Sequence, residues 1–353
     1  MVSEGFVKEA ESLRNILLNM KKTEIHLHLE GIASPDTIWE LMQKNNLQYS
    51  GISSKEDIVR RFRVENLDQF IDLYINIIQN SLKTEDDMAL LMRDAGTYLQ
   101  ANNIAYAEIF FAPSKFLKMG LDYGLIKDVL SEGSRILQES YHTEVKFLVD
   151  VSRTFGLDNA MNNLDLVLAN RAAHKDAPII GIGLGGSEKY GPAKDYAKVF
   201  EKARAEGLHV VAHAGEDMGP ESVWDTINYL HVERIGHGIS SIQDEKLIDY
   251  LAEERIPLEV CPTSNLFTQA YATTIENHPV KNMFDKQVYV TINTDDPSIF
   301  STSLIDEYML LFQHKIFTKE EILLLVERNI DASFLSEEKK KLLKEENRII
   351  AGK

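Results

Sequence analysis

Residues 22–31 read Lys-Thr-Glu-Ile-His-Leu-His-Leu-Glu-Gly, and this stretch predicts the strand from which the fold starts. Apolar and polar residues alternate over 24–30, as in a strand with two different faces. Side chains two positions apart on a strand point to the same face, so His26 and His28 project side by side, and Gly31 ends the strand. Imidazole is a common ligand of divalent metals. A His-X-His pair alone is more often an ordinary pair of strand histidines, so the rest of the chain must support a metal site.

The chain around this strand is predicted to be mostly helical at first. Residues 3–20 show a helical pattern, and Ser34-Pro35-Asp36 has the N-cap serine, early proline and acidic first turn of a helix start. From there to about residue 102 the pattern is nearly all helix, including 67–82 and 85–100. A helical insertion of this size after the first strand could form a lid or a pocket wall.

Strands and helices alternate from residue 104 onward. Strands separated by helices must pair in parallel through right-handed crossovers, and eight of them favour a closed (β/α)₈ barrel of the TIM type. No linker or repeat divides the chain, so we expect a single domain over residues 1–353 with extra helices at both ends. After the first strand, the predicted strands are 104–111, 145–151, 179–184, 208–213, 234–236, 256–261 and 287–293, and the helices between them are 123–141, 157–173, 192–206, 220–230, 243–254 and 279–285.

Composition limits the function. The 353 residues carry a formal net charge of −17, which disfavours a nucleic-acid polymer as partner. Cys261 is the single cysteine, which excludes an intramolecular disulfide and a cysteine-cluster zinc site. The chain has no apolar run of about 18 residues and no leader-like start, so we expect a cytoplasmic protein without a membrane partner. No oligomeric state can be predicted.

Polar motifs follow four further predicted strands. His213-Ala-Gly-Glu216 follows the fifth, Gly236-His237-Gly238 the sixth and Asn293-Thr-Asp295-Asp296-Pro297 the eighth, and Gly185-Gly186-Ser187-Glu188 follows the fourth. The carboxyl ends of barrel strands meet at one face, where barrel enzymes build their active sites. We therefore expect one active site at this end of the barrel.

The first, fifth and eighth strands can bring four metal ligands together. Strands one and eight are neighbours in a closed barrel, and strand five faces them across the mouth. Three imidazoles and one carboxylate with an open position are typical of catalytic zinc, which lowers the pKa of a bound water toward ~7. The sequence predicts one zinc ion per chain, bound by His26, His28, His213 and Asp295.

Four other residues are candidates for the chemistry. Glu216 could reach the site without being a ligand, or could be a helix-start carboxylate. His237 lies between glycines, where a core histidine has little to pack against, and is predicted to be a base or an orienting group. Asp296 is either a site carboxylate or a cap before Pro297. Gly186 permits close approach of a flat ligand to the backbone.

These motifs resemble the adenosine deaminase family of the amidohydrolase superfamily. The matching stretches are His-Leu-His-Leu-Glu-Gly (26–31), Gly-Ile-Gly-Leu-Gly-Gly-Ser-Glu (181–188), His-Ala-Gly-Glu (213–216), Glu-Arg-Ile-Gly-His-Gly (233–238), Cys-Pro-Thr-Ser-Asn (261–265) and Asn-Thr-Asp-Asp-Pro (293–297), in the family's order. The resemblance implies zinc-dependent hydrolysis of the 6-amino group of a purine, with hydroxide adding to C6. It implies that Glu216 protonates N1, His237 orients the hydroxide, Asp296 holds N7 and the backbone at Gly186 meets the ring near N3.

The substrate is less closely defined by the resemblance. Adenosine deaminases of the family usually carry Asp where this chain has Glu30, at a position facing the ribose, and Ala-Gly-Asp-Glu where this chain has 185–188. Glu30 is more similar to adenine deaminases and aminodeoxyfutalosine deaminases, whereas Gly236 and Thr294 depart from the adenine deaminase pattern. We expect a purine nucleoside, adenosine first, with aminodeoxyfutalosine and adenine as alternatives.

Two other classes of function stay open on sequence alone. A two-metal amidohydrolase acting on an ester or a cyclic amide would need a bridging lysine after the fourth strand, where this chain has Leu184-Gly185-Gly186. A catalytically silent binding protein is disfavoured because every expected ligand and Glu216 are present.

Overall fold

Eight parallel strands form the centre of the molecule. The computed structural model describes residues 4–64, 67–173, 177–268 and 271–352. Each strand is hydrogen-bonded to the next one in the chain, in the order β1 to β8. The strands are β1 Lys22–His28, β2 Ile104–Phe111, β3 Glu144–Asp150, β4 Ile179–Gly183, β5 His209–Ala214, β6 Arg234–His237, β7 Leu258–Val260 and β8 Val290–Ile292.

The residues that follow β8 close the sheet into a barrel. Asp295 and Leu27 form a parallel bridge, in which the His28 N–H donates to the Asp295 carbonyl at 3.0 Å and the Asp295 N–H donates to the His26 carbonyl at 3.1 Å. The side chain of Asn293 accepts from the Ile25 N–H at 3.1 Å. The predicted (β/α)₈ barrel is therefore confirmed.

Helices surround the barrel and fill the long connection between β1 and β2. They include two π-helical segments, Asp72–Gln79 and Thr226–Leu230, which continue α4 and α10. The α-helices are α1 Glu4–Asn19, α2 Pro35–Lys44, α3 Lys55–Arg61, α4 Leu67–Ile71, α5 Met88–Ala101, α6 Ser114–Lys118, α7 Tyr123–Tyr141, α8 Gly156–Ala173, α9 Ala197–Ala205, α10 Pro220–Asp225, α11 Glu245–Glu254, α12 Pro262–Thr268, α13 Val280–Asp285, α14 Pro297–Phe300, α15 Leu304–Gln313, α16 Lys319–Ala332 and α17 Glu337–Ile350. The helical insertion and the extra helices at both ends agree with the sequence prediction.

Some predicted boundaries are wrong in an informative way. The alternating pattern predicts a strand through Glu30, but β1 ends at His28 and the chain turns into a 3₁₀-helix over Glu30–Ile32. Residues 29–32 are all buried, so the hydrophobic pattern gives no sign that the backbone stops being extended after His28. Strands β7 and β8 are shorter than predicted, since Cys261, Val288 and Tyr289 are buried next to these strands without belonging to them.

The lower part of the barrel interior is charged as well as apolar. Phe110, Leu148 and Val211 form a small buried cluster, and the Phe110 ring lies 5.0 Å from the ring of His26. Buried Arg234 pairs with the carboxylates of Glu108 and Glu259 from β2 and β7.

In the part of the chain that the structure describes, no helix is long and apolar enough to span a bilayer.

Candidate active site and metal centre

The four predicted metal ligands converge at the carboxyl end of the barrel. One ligand atom from each of His26, His28, His213 and Asp295 lies within 4.8 Å of the others. Nε2 of His28 is 3.2 Å from Nε2 of His213 and 3.2 Å from Oδ1 of Asp295. Nε2 of His26 is 3.6 Å from the same Asp295 oxygen.

These distances fit a shared cation. Bonds of 2.0–2.1 Å in a tetrahedron place two ligand atoms about 3.3 Å apart, close to the separations found here. Nε2 of His26 is also buried and has no hydrogen-bond partner among the described residues, an arrangement that is costly unless something binds the nitrogen. Three imidazoles and one carboxylate are the donor set of a single divalent ion such as zinc.

A second group of potential ligands shares Asp295 with this cluster. His237 and Cys261 lie within 4.8 Å of Asp295. Burial raises the pKa of the Cys261 thiol well above its usual range, and the thiolate rather than the thiol is the form that binds metals. Lys189, six residues beyond the end of β4, is exposed and lies over the Tyr190 ring. The geometry therefore favours one ion rather than a lysine-bridged pair.

Two side chains, one from β7 and one from the following helix α12, contact the candidate ligands. Glu259 Oε2 is 2.7 Å from Nδ1 of His26, and the Ser264 hydroxyl donates to Oδ2 of Asp295 at 2.7 Å. Contacts of this kind set the tautomer and the direction of metal-binding side chains. Sequence reasoning gave neither residue a role. A charged residue inside the buried strand β7 was the available signal for Glu259, because a buried charge requires a partner.

The backbone around the ligands adopts conformations that few residues tolerate. Asp295 and His237 have φ values of 68° and 60°, in the left-handed region that non-glycine residues rarely occupy. Gly236 precedes His237 and leaves room for the ligands, since a Cβ there would lie 2.7 Å from Cε1 of His26 and 3.3 Å from Cγ of His213. A side chain at position 236 would therefore displace the imidazoles of His26 and His213.

Glu216 and His237 lie next to the cluster, as predicted. Oε2 of Glu216 is 3.5 Å from Nε2 of His237, which in turn is 4.0 Å from Oδ2 of Asp295. Burial and the nearby carboxylates of Asp295 and Glu188 raise the pKa of Glu216 well above its usual range. Burial lowers the pKa of His237 to about 4. These shifts favour the protonated form of Glu216 and the uncharged form of His237.

Two buried side chains hold the loop that carries Glu216. The carboxylate of Glu188 accepts from the backbone N–H groups of 215, 216 and 217, at 2.8, 2.9 and 3.1 Å. Arg153 donates to the carbonyl oxygens of His213 at 2.7 Å and Leu184 at 3.0 Å. Glu188 belongs to a motif that the sequence singled out, but its role as a support for another strand's loop was missed, as was that of Arg153.

Glu30 lies beside the ligands rather than among them. It is fully buried, its Oε1 is 3.4 Å from Nε2 of Gln79 at the end of the π-helix, and its Oε2 has no partner in the described part of the chain. Burial raises the pKa of Glu30 to about 7. The helical insertion thus forms one wall of the site, as its position after β1 suggested.

Asp296 and Gly186 complete the predicted set. Asp296 does not cap α14 with its side chain, and its buried Oδ1 has no hydrogen-bond partner among the described residues. Burial and the charge of Asp295 raise the pKa of Asp296 well above its usual range. The carboxylate packs against Gly31, where a Cβ would lie 1.9 Å from Oδ1. Gly186 follows β4 in the left-handed region, with φ 87°.

Comparisons with known proteins agree with this architecture. The chain is 34% identical over 323 residues to an aminodeoxyfutalosine deaminase of Streptomyces avermitilis, covering 92% of this chain and 89% of that protein. It is 31% identical over 331 residues to an adenine deaminase of Crocosphaera subtropica, covering 94% and 99%. These two relatives are named for adenine and aminodeoxyfutalosine, so they do not confirm adenosine as the substrate.

Solved structures show the same fold. An adenine deaminase from Arthrobacter aurescens superposes with a TM-score of 0.88 at 28% identity, covering 95% of this chain and 100% of that one. An amidohydrolase from Burkholderia ambifaria, described with bound zinc, superposes with a TM-score of 0.86 at 24% identity, covering 100% and 95%. The family model described as adenosine deaminase matches residues 21–349. The chain belongs to the adenosine deaminase family of hydrolases.

Proposed function

We propose that this protein hydrolyses the 6-amino group of an adenine nucleoside, releasing ammonia and leaving a 6-oxopurine. The observation that carries the proposal is the position of Glu216 and His237 beside the cluster of three histidines and Asp295. The deaminase names of both relatives support the reaction class.

His26, His28, His213 and Asp295 would hold the metal, and their donor set favours zinc. When bound, the ion would lower the pKa of a water molecule, which makes a nucleophile available near neutral pH. The side chains around it act on the purine ring. Protonated Glu216 gives its proton to N1 while the oxygen of water bonds to C6, and the Glu216 carboxylate takes up the proton that the water loses. Glu216 then passes this proton to N6, the C6–N6 bond breaks to release ammonia, and the proton of the C6 hydroxyl returns to Glu216 as the 6-oxo group forms.

The other groups position the ring. His237 faces the region between Glu216 and Asp295 and forms a hydrogen bond to the attacking oxygen. Oδ1 of Asp296 is buried without a partner among the described residues, and its raised pKa favours the neutral acid, which can donate to N7. The backbone at Gly186 approaches N3 without a side chain in the way.

Glu30 is the group that we assign to the sugar. Its Oε2 is a buried acceptor with no partner in the described structure, and a ribose hydroxyl would satisfy it. A site built around a substrate hydroxyl can reject an analogue without it by as much as ~10⁴-fold. Adenosine is therefore the first candidate, and free adenine is expected to be a far poorer substrate.

Aminodeoxyfutalosine is the second candidate. The Streptomyces relative is named as a deaminase of this compound. A cluster of half-buried aromatic rings at the same end of the barrel also offers a surface for a larger nucleoside. Phe300 stacks on Phe70 with ring centroids 5.6 Å apart, and Phe267 lies 5.2 Å from Phe300.

The test compares kcat/KM for adenosine, 5′-deoxyadenosine, adenine and aminodeoxyfutalosine on one zinc-loaded preparation. We expect adenosine to exceed adenine, and 5′-deoxyadenosine to fall below adenosine if Glu30 accepts from the 5′-hydroxyl. Adenine as the best substrate would refute a nucleoside deaminase, and a large excess for aminodeoxyfutalosine would select the second candidate.

A metal assay accompanies the substrate comparison. His213→Ala should lose bound metal and activity together, whereas His314→Ala, at an exposed histidine, should keep both. Full activity after exhaustive chelation would refute the metal-dependent reaction.

A further inference from the structure

The Cys-Pro-Thr-Ser-Asn motif at 261–265 contains a residue that the proposed reaction leaves without a role. Asn265 is fully buried between two histidines from different parts of the barrel. Its Nδ2 is 3.0 Å from Nδ1 of His237, and its Oδ1 is 3.4 Å from Nε2 of His278. Both histidines are also buried, at 0% and 5% exposure. The three side chains form a chain of hydrogen bonds that begins outside the metal cluster and ends at His237.

A backbone N–H determines which atoms donate and which accept in this series of hydrogen bonds. The N–H of Val280 points at Nδ1 of His278 at 3.1 Å, and a backbone N–H can only donate. Nδ1 of His278 is therefore the acceptor, so the proton of this imidazole is on Nε2. Nε2–H then donates to Oδ1 of Asn265. The oxygen and nitrogen of the Asn265 amide, which geometry alone rarely distinguishes, are assigned by this contact.

The same reasoning extends to His237. Because Oδ1 of Asn265 faces His278, its NH₂ group faces His237 and donates to Nδ1. Nδ1 of His237 must then be unprotonated, and the ring proton is on Nε2. That nitrogen is buried, has no hydrogen-bond partner among the described residues, and lies 3.5 Å from Oε2 of Glu216. The N–H bond is available to a ligand in the active site.

We propose that His278 and Asn265 are positioning residues that hold His237 as the neutral imidazole protonated on Nε2. In this form His237 donates a hydrogen bond to the attacking oxygen and cannot remove a proton from it, because the nitrogen that faces the site already carries one. This assignment rests on the proposed deamination for the identity of the oxygen. It also decides between the two roles, base and orienting group, that the sequence left open for His237.

The alternative tautomer is disfavoured by the same contacts. A proton on Nδ1 of His237 would face the NH₂ group of Asn265, so two buried donors would oppose each other without an acceptor. Rotating the amide would satisfy His237 but would turn the NH₂ group toward the Nε2–H of His278. The backbone N–H of Val280 prevents His278 from changing its own tautomer in response. Changing the His237 tautomer or rotating the Asn265 amide therefore leaves two buried donors facing each other in either case.

The first measurement is the tautomer of His237 in the zinc-loaded protein. Long-range ¹H–¹⁵N spectra of protein labelled at its 10 histidines distinguish protonated from unprotonated ring nitrogens. We expect His237 and His278 both to be protonated on Nε2 and not on Nδ1. Protonation of His237 on Nδ1, or averaging between the two nitrogens, would overturn the proposal without any variant.

We call the hydrogen bonds from His278 through Asn265 to His237 the relay. Asn265→Asp tests the relay by reversing the direction of the hydrogen bond between residue 265 and His237. A carboxylate can still accept from Nε2–H of His278, but it now accepts from His237 as well, which moves the His237 proton to Nδ1. We expect the reversed tautomer in the spectrum and a kcat lower by at least about 10²-fold, with little change in KM for the nucleoside. Asn282→Asp on the exposed side of α13 adds the same charge nearby and should leave spectrum and rate unchanged. An unchanged tautomer in Asn265→Asp would contradict the relay.

His278 supplies a rescue pair. Gln at this position keeps an N–H donor for Oδ1 of Asn265, whereas Leu removes it. His278→Gln should retain the Nε2 tautomer of His237 and most of the rate, and His278→Leu should lose both; equal behaviour of the two would refute positioning through His278. The spectra need no substrate, so an intact relay in a protein that deaminates no adenine compound would refute the proposed function and not the relay.

Discussion

Glu259→Gln removes one charge from beneath the metal cluster while keeping the shape of the side chain. Glu259 is fully buried, with Oε1 2.5 Å from Nε of Arg234 and Oε2 2.7 Å from Nδ1 of His26. Burial by itself would raise the pKa of Glu259. The charge of Arg234 and the contact with His26 outweigh burial, so the pKa lies below its usual range and the group is ionised. The amide of Gln carries no charge and has one acceptor oxygen for two N–H donors, so if it accepts from His26 its NH₂ group faces Nε–H of Arg234.

The effect should appear in metal affinity. Loss of a carboxylate that orients a metal-binding histidine typically weakens binding 10–100-fold, or about 1.4–2.7 kcal/mol. The variant should also be less stable, because Arg234 keeps only one of its two carboxylates. Breaking a buried pair costs about 3–5 kcal/mol, and the opposed N–H groups of the introduced amide and Arg234 should place this variant within that range.

Glu108→Gln is the matched control, since Glu108 pairs with the same guanidinium but has no contact with His26. We expect both variants to lower the free energy of unfolding of the zinc-free protein, measured in urea. Only Glu259→Gln should raise the zinc Kd, measured by competition with a chelator, and saturating zinc should restore much of its kcat. Equal zinc affinities for the two variants would refute an orienting role for Glu259.

Three further changes test other parts of the site. Glu216→Gln should keep metal and fold but lower kcat about 10²–10⁴-fold, because an amide cannot protonate N1, and a loss below tenfold would move that role elsewhere. Gly236→Ala should raise the zinc Kd and cost about 1–3 kcal/mol in unfolding free energy, because its methyl group overlaps His26; unchanged values would contradict the crowding. Burial raises the pKa of Glu307 to about 7, so between pH 4.5 and 7 the folded protein holds a proton that the unfolded chain has lost. The free energy of unfolding should therefore fall by up to about 3 kcal/mol as the pH rises through this range. Glu307→Gln should flatten that fall in zinc-free protein, and an unchanged slope in urea titrations across this range would contradict the shift.

The number and order of strands could be predicted from the chain alone. Alternation of strand and helix patterns is local, and parallel pairing with right-handed crossovers leaves few topologies for eight strands. The same logic placed the histidine and aspartate motifs at one face, because each motif directly follows a strand. The four ligands that the structure brings together are the four predicted from this placement. Their roles in a reaction stay predictions.

The contacts that orient those ligands could not be predicted in this way. Glu259 and His26 are 233 positions apart, and Arg153 and His213 are 60 apart, so only the closed barrel brings each pair together. Each partner comes from a strand or loop that supplies no ligand itself, which leaves no local pattern to identify it.

The sequence by itself thus determined the strand count, the face that carries the chemistry and the residue types available there, since these depend on neighbours along the chain. The tertiary structure alone decided that Glu30 lies in a 3₁₀ turn and that His237 and Asp295 take left-handed conformations. It also decided that Asn265 lies between His237 and His278. The physical reason is that buried polar groups require partners, and packing between distant segments determines which partners are within reach.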